Sequence, residues 1–428
     1  MDLMYALINY AEWRITMLIK NAKLRRKSGL WQIYIKDGKF VEITERRIEA
    51  EGEIIDAKGN LVIPPYVEPH IHLDCVFTAG QPRWNESGTL FEGIQLWSER
   101  KEKITIADVK ERAKKAIQLQ ISQGIQFVRS HVDTTDPNLT ALKALIEVRE
   151  EVKEFVELQL VAFPQEGILS YPNGRELLEE AVKLGADVIG AIPHYEFTRE
   201  YGVESVKYAL KLASTHGKLV DIHCDEIDDP NSRFLETVAA EAYRLGMQSN
   251  VTASHTTAMH SYNNAYTQKL FRLLKLSEIN IVACPTENIH LQGRFDTFPK
   301  RRGITRVKEL TDYGINVGIA QDSIMDPWYP LGTDNLLRQL EMCIHVCQMM
   351  GYSEIVRSLD LITENSAKVL SIADSYGIEV GKPGSLLILD AENEFETIRN
   401  LAGVLYSIRQ GKVLVKRVPA QTSMVILK

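Results

Sequence analysis

Three histidines, an aspartate and a glutamate offer the plainest chemistry in this chain. His70-Ile71-His72 places two imidazoles on one side of an extended segment, because alternate residues of a strand share a face. Neutral imidazole is a favoured ligand for Zn²⁺ and Fe²⁺. Alone the pair is weak, since a chain with ten histidines in 428 positions acquires a His-x-His by composition roughly one time in four. The pair gains weight from His223 and Asp322, each at the polar end of an apolar run. Four N and O ligands with a position left for water describe a catalytic metal site, one that makes hydroxide at neutral pH.

Glu226 follows His223 by three residues. Beside an activated water, a carboxylate there would move a proton from the water to a ring nitrogen, a role worth about 10² to 10⁴ in rate. Its bland alternative is a solvated acid in the run Asp225, Glu226, Asp228, Asp229. His255 would lie near both and orient the hydroxide, or else be satisfied by the hydroxyls of Ser254, Thr256 and Thr257. Gln165, in Phe163-Pro164-Gln165-Glu166-Gly167, presents donors and an acceptor suited to the edge of a neutral base or cyclic amide, or to capping a strand end. Phe163 and Trp328 are candidates for the walls of a flat pocket and equally for plain core.

These residues need a frame that delivers them to one place. Eight runs, Leu61 to Asp74, Gly124 to Asp133, Glu157 to Gly167, Asp187 to Glu196, Leu219 to Glu226, Asn250 to Thr257, Ile279 to Asn288 and Ile315 to Ser323, are apolar at the start and polar at the end. Helical stretches with apolar residues at three- and four-residue spacing separate them, for example Ile106 to Gln123 and Val203 to Thr215. This alternation requires parallel strands with crossover helices, and eight of them predict an α/β fold of the closed (β/α)₈ TIM type, with function at the C-terminal strand ends. Closure would bring strands one and eight together, so His70, His72 and Asp322 would meet, with His223 across the mouth. Both chain ends are β-rich and punctuated by turns at Asp37-Gly38 and Gln410-Gly411. The expected organisation is an N-terminal extension over 1–16, a composite β-sandwich domain from 17–66 and 376–428, and a catalytic barrel over 67–375.

Composition narrows the classes further. The net charge, 50 − 57 = −7, argues against a non-specific nucleic-acid binder. Hydrophobic residues at 45% and charged residues at 25% suit a large packed core. Five cysteines without a CxxC pair fit a reducing compartment, so a cytoplasmic address is expected, and no apolar run reaches the ~18 residues of a membrane span. GxSxG, GxGxxG after a strand, GxxxxGK[ST] and HExxH are all lacking, as is the His-x-Glu with Pro-Cys-x-x-Cys signature of zinc nucleoside deaminases.

With these motifs in view, the chain resembles the amidohydrolase superfamily and, within it, the bacterial cytosine deaminases. The likeness runs from Met17 to the C-terminal strand through Val67–Asp74, Ala162–Gly167, His223–Asp229, Ser254–Ser261, Asn288–Asp296 and Asp326–Gly332. It implies one divalent metal, iron or zinc, on His70, His72, His223 and Asp322. It further implies proton shuttling by Glu226, positioning of hydroxide by His255 and Asp322, and reading of a pyrimidine edge by Gln165, with Leu90, Phe163 and Trp328 lining the pocket. The partner is then a small nucleobase, and the family implies a homo-oligomer, with hexamers described. One departure matters: the family usually carries two adjacent aspartates, whereas this chain reads Gln321-Asp322-Ser323. The smaller, uncharged Ser323 predicts room at ring position C5, with 5-methylcytosine as the natural substrate beside cytosine. Cys284, Thr286 and Glu287 also depart from the usual Asn, Leu and Val. Deamination of another amino-substituted ring (isoguanine, isocytosine, creatinine), ring-opening hydrolysis of a cyclic amide or imide, and a non-catalytic metal-binding barrel are the alternatives.

Overall fold

The protein is described by a computed structural model over residues 16–423. The expected extension over 1–16 lies outside the described residues apart from Thr16, which opens the first strand. The chain divides into two compact units, one comprising Tyr66–Asp374 with Ile398–Leu401 and the other the chain on either side.

The smaller unit begins with β1 (Thr16–Leu24), β2 (Trp31–Lys36), β3 (Lys39–Thr44), β4 (Glu53–Asp56) and β5 (Leu61–Ile63). Asp37 and Gly38, both with positive φ (50° and 76°), make the tight turn from β2 to β3. β1 carries an irregularity between Ile19 and Ala22 in its pairing with β2. On its other edge, Met17–Lys20 pair with β4 and Lys23–Leu24 with β5. A bulge of this kind lets one strand serve two neighbours.

The larger unit is the barrel. Its strands β6 (Tyr66–Ile71), β7 (Ile125–Asp133), β8 (Glu157–Phe163), β9 (Val188–Ala191), β10 (Leu219–Cys224), β11 (Val251–His255), β12 (Asn280–Ala283) and β13 (Val317–Ile319) pair in chain order, all parallel. The ends meet just past β13: Asp322 N donates to His70 O at 3.0 Å, and His72 N donates to Asp322 O at 3.2 Å. Each crossover helix buries one stripe. Ile106–Ser122, capped by the Thr105 hydroxyl on Asp108 N, turns Val109, Ala113, Ala116 and Ile117 inward.

Several runs are shorter as strands than the sequence expectation, β9 stopping at Ala191 and β13 at Ile319, and two others change character. Leu61 to Asp74 is two strands, because Pro64-Pro65 has no N–H to extend a ladder, and its first part, β5, belongs to the smaller unit. Ile279 to Asn288 stops at Ala283, and Pro285 opens the helix Pro285–Leu291. At that first helical position the missing N–H has no partner to lose.

The C-terminal strands β14 (Leu386–Leu389), β15 (Val404–Arg409) and β16 (Lys412–Lys416) complete the smaller sheet in the order β16-β15-β14-β5-β1-β2-β3, with β4 on β1. Met17, Ile19, Ile33, Ile35, Ile55, Val62, Leu386, Ile388 and Ile408 form one buried cluster, so neither terminal segment has a complete core alone. The fold is thus a (β/α)₈ barrel with a composite β domain built from both ends of the chain.

Candidate active site

The four expected ligands converge at the C-terminal mouth of the barrel. The Nε2 atoms of His72 and His223 lie 3.1 Å apart. Asp322 Oδ1 is 3.4 Å from Nε2 of both His70 and His72. The backbone bonds that close the barrel are the ones that hold His70, His72 and Asp322 in register. Asp322 (φ 71°) and His255 (φ 68°) also turn through the left-handed region, which non-glycine residues enter at a cost and chiefly at functional sites.

A buried relay fixes the tautomer of His70. Ser254 Oγ donates to Asp221 Oδ1 at 2.6 Å and therefore accepts from His70 Nδ1–H at 2.9 Å. This leaves His70 Nε2 with a lone pair and no hydrogen-bond partner among the described residues. Asp221 is held in turn by Arg129 at 3.0 Å. Burial pushes His72 down to about 4 and His223 well below the ordinary imidazole range, so both are neutral, the form that binds metal. Burial favours a protonated Asp322, but His70, His255 and His72 outweigh it and hold the carboxyl below its ordinary range. Neutral nitrogens and one carboxylate oxygen, with an orphaned Nε2 among them, fit a divalent cation. His131 and Cys284 also bring a donor atom into this neighbourhood. The Cys284 thiol is pushed up by burial and then by Asp322.

Glu226 and His255 stand beside the cluster. His255 Nδ1 is 3.5 Å from Glu226 Oε1 and 3.8 Å from Asp322 Oδ2. Asn288 Oδ1 accepts from Cys284 N, so its amide nitrogen faces His255 Nδ1 at 3.1 Å and donates to it. The proton of His255 therefore sits on Nε2. Burial, then the charge of Asp322, push the Glu226 carboxyl well above its ordinary range.

A partly open cavity over this cluster is lined by His72, Leu90, Gln165, His223, Glu226, His255, Glu287, Leu291, Asp322, Ser323 and Trp328. Trp328 is set by Asp326, whose carboxylate accepts from the backbone N–H of Trp328 and Tyr329 at 2.9 and 3.0 Å. It packs so closely on the helix Leu90–Lys101 that a Cβ on Gly93 would lie 2.4 Å from its ring. Phe163, expected as a wall, is not among the lining residues. It is buried beneath them and stacks on His223 with ring centroids 4.0 Å apart.

A model of the amidohydrolase family matches residues 53–415. The chain belongs to the amidohydrolase family. The 5-methylcytosine deaminase of Klebsiella pneumoniae, solved with 5-fluorocytosine, is 57% identical and superposes with a TM-score of 0.94 over 95% of this chain and 99% of that one. N-isopropylammelide isopropylaminohydrolase of Burkholderia multivorans superposes with a TM-score of 0.80 over 94% of this chain and 98% of that one, at 21% identity, a likeness of fold. N-isopropylammelide isopropyl amidohydrolase of Pseudomonas sp. strain ADP is 28% identical over 94% of this chain and 97% of its own.

Several supports of this amidohydrolase site escape a reading of the sequence. Lys101 Nζ, at the end of the helix Leu90–Lys101, donates to Asp133 at 3.0 Å and also to Glu166, and Trp97 Nε1 donates to Asp133 at 2.9 Å. The helix is thereby tied to the ends of β7 and β8, which places Leu90 over the cavity and Gln165 at its edge. No lysine ends β9, whose last residue Ala191 is followed by Ile192-Pro193-His194, so a carboxylated-lysine bridge between two metals has no residue there. No helix among the described residues is long and apolar enough to cross a membrane.

Proposed function

We propose that this amidohydrolase is a metal-dependent hydrolytic deaminase of cytosine-type bases, converting 5-methylcytosine to thymine and cytosine to uracil with release of ammonia. What carries this reading is the coincidence of two things. The His70, His72, His223 and Asp322 cluster lies beside a cavity that Glu226, Gln165 and Ser323 also line, and the chain is 57% identical to a 5-methylcytosine deaminase along nearly its whole length.

A divalent ion on this cluster, Zn²⁺ or Fe²⁺, would lower the pKa of water from about 15.7 to about 7. Glu226 would take the proton that water loses in becoming hydroxide and place it on N3 as the hydroxide adds to C4, so that negative charge does not build on the ring. His255, with its proton on Nε2 and Nδ1 held by Asn288, orients the attacking oxygen together with Asp322. The proton of the newly added hydroxyl passes to the amino group, which leaves as ammonia, and the ring is left with an oxo group at C4. The Gln165 amide reads the ring's polar edge, Leu90 and Trp328 confine it, and Ser323 leaves space for a C5 methyl.

Ammonia release from cytosine, 5-methylcytosine, isocytosine, isoguanine and creatinine, with bound metal quantified, tests the reading. Activity is expected on the first two, with Glu226→Gln lowering kcat by about 10² to 10⁴. Activity confined to isoguanine or creatinine, or a Glu226→Gln variant as fast as the wild type, would overturn it.

A further inference from the structure

Glu287 has no part in the mechanism above, yet it is the polar group of the cavity that most lacks an explanation. It lies in the first turn of the helix Pro285–Leu291, is 1% exposed, and lines the same cavity as Glu226, Gln165 and Ser323. The Ser323 hydroxyl lies near enough to draw the Glu287 carboxyl down, but neither carboxyl oxygen makes a hydrogen bond of good geometry among the described residues. A buried carboxyl left in that condition costs stability and is expected to be retained only where something else satisfies it. The backbone gives it little freedom to turn away. The helix is fixed at its start by Asn288 Oδ1 on Cys284 N and by Gln339 Oε1, which accepts from Thr286 N and Thr286 Oγ1.

We propose that Glu287 is a substrate-binding residue, accepting a hydrogen bond from a ring N–H of the bound heterocycle and so selecting rings that offer an N–H beside a carbonyl. The inference rests on the deaminase reading and adds a specificity determinant to it. A carboxyl accepts from N–H whether or not it carries a proton. Burial, followed by the charges of Asp322, Asp326 and Glu226, pushes Glu287 well above the ordinary carboxyl range. A proton on one oxygen would let the same group donate to the adjacent ring carbonyl, completing a two-point match. An apolar residue of similar size would confine the ring but read neither atom.

The test compares Glu287→Leu and Glu287→Gln with the wild type in the metal-loaded protein. It measures kcat and KM for 5-methylcytosine, calorimetric affinity for the product thymine, and Tm without ligand. Glu287→Leu is expected to raise KM and weaken thymine binding about 10- to 100-fold, while its Tm rises because a buried unpaired carboxyl is gone. Glu287→Gln, which keeps an amide oxygen as acceptor, should recover affinity to within a few-fold. A Glu287→Leu variant that is folded and metal-loaded, with unchanged KM and thymine affinity, would overturn the proposal and leave the deaminase reading standing. A wild-type protein that neither deaminates these bases nor binds thymine would overturn both.

Discussion

In the proposed mechanism Glu226 bears on whether a ring is deaminated, and Ser323 and Glu287 on which ring. One methyl group in a fitted pocket is worth about 1 to 3 kcal/mol, or 10- to 200-fold. Wild-type protein is therefore expected to use 5-methylcytosine at least as well as cytosine, and Ser323→Asp to shift the ratio of their kcat/KM values toward cytosine by 10-fold or more. A tenfold preference of the wild type for cytosine would contradict the account of position 323. Further from the ring, Ser254 and Asp221 act through His70. Ser254→Ala removes the acceptor of His70 Nδ1–H and is expected to weaken metal binding about 10- to 100-fold in chelator competition, with circular dichroism unchanged. The proposed ligands are legible in the sequence, since His70 and His72 share a strand face and His223 and Asp322 end apolar runs. The relay behind them is not. Ser254, Asp221 and Arg129 are joined over 33 and 92 positions, and nothing in local periodicity marks such a partnership. The same holds for the depth of Phe163, whose residue type fits a pocket wall and a packing plate equally well.

At the scale of elements, the site depends on how the first and last strands of the barrel are clamped. Glu68 on β6 accepts from His70 N and Gln321 N, both at 2.9 Å, and so spans the seam directly beneath His70 and Asp322. Glu68→Ala leaves two buried N–H groups unpaired, at about 1 to 3 kcal/mol each. It is expected to lower Tm and metal retention together, whereas a loss of Tm with metal affinity intact would detach the seam from the site. The helix Leu90–Lys101 is the other movable wall. Gly93→Val would drive a side chain into Trp328, so KM for the base should rise by an order of magnitude or more while metal content stays at the wild-type level. Element types and order are readable in the sequence because strands with polar ends and amphipathic helices differ in period. The helix at Pro285 was hidden inside an apolar run that reads as strand through Asn288. That misreading matters, because Glu287 reaches the cavity and Asn288 reaches His255 from a helical turn and not from alternating strand positions. The tie of Lys101 to Asp133 and Glu166 likewise links elements that no sequence spacing relates.

At the scale of the whole molecule, the ligands come from positions 70 to 322, so the site exists only when the complete barrel is closed. Cation binding must then favour the closed barrel over the unfolded chain. Occupancy at a hundred times Kd adds about 2.7 kcal/mol, so chelation should lower Tm measurably and re-addition of Zn²⁺ or Fe²⁺ should restore it. The composite β domain was legible from turn-punctuated strands at both ends. Its assembly around one core cluster is what explains why Leu386, Ile388 and Ile408 are as buried as Met17 and Ile19. The most direct measurement is the initial rate of ammonia release from 5-methylcytosine as chelator-stripped protein is titrated with Zn²⁺ or Fe²⁺. Activity rising from none to a plateau at one ion per chain, with no rise in His223→Ala or Asp322→Ala, is the predicted result. Full activity in the stripped protein, or a wild-type plateau reached only at two ions per chain, would contradict it.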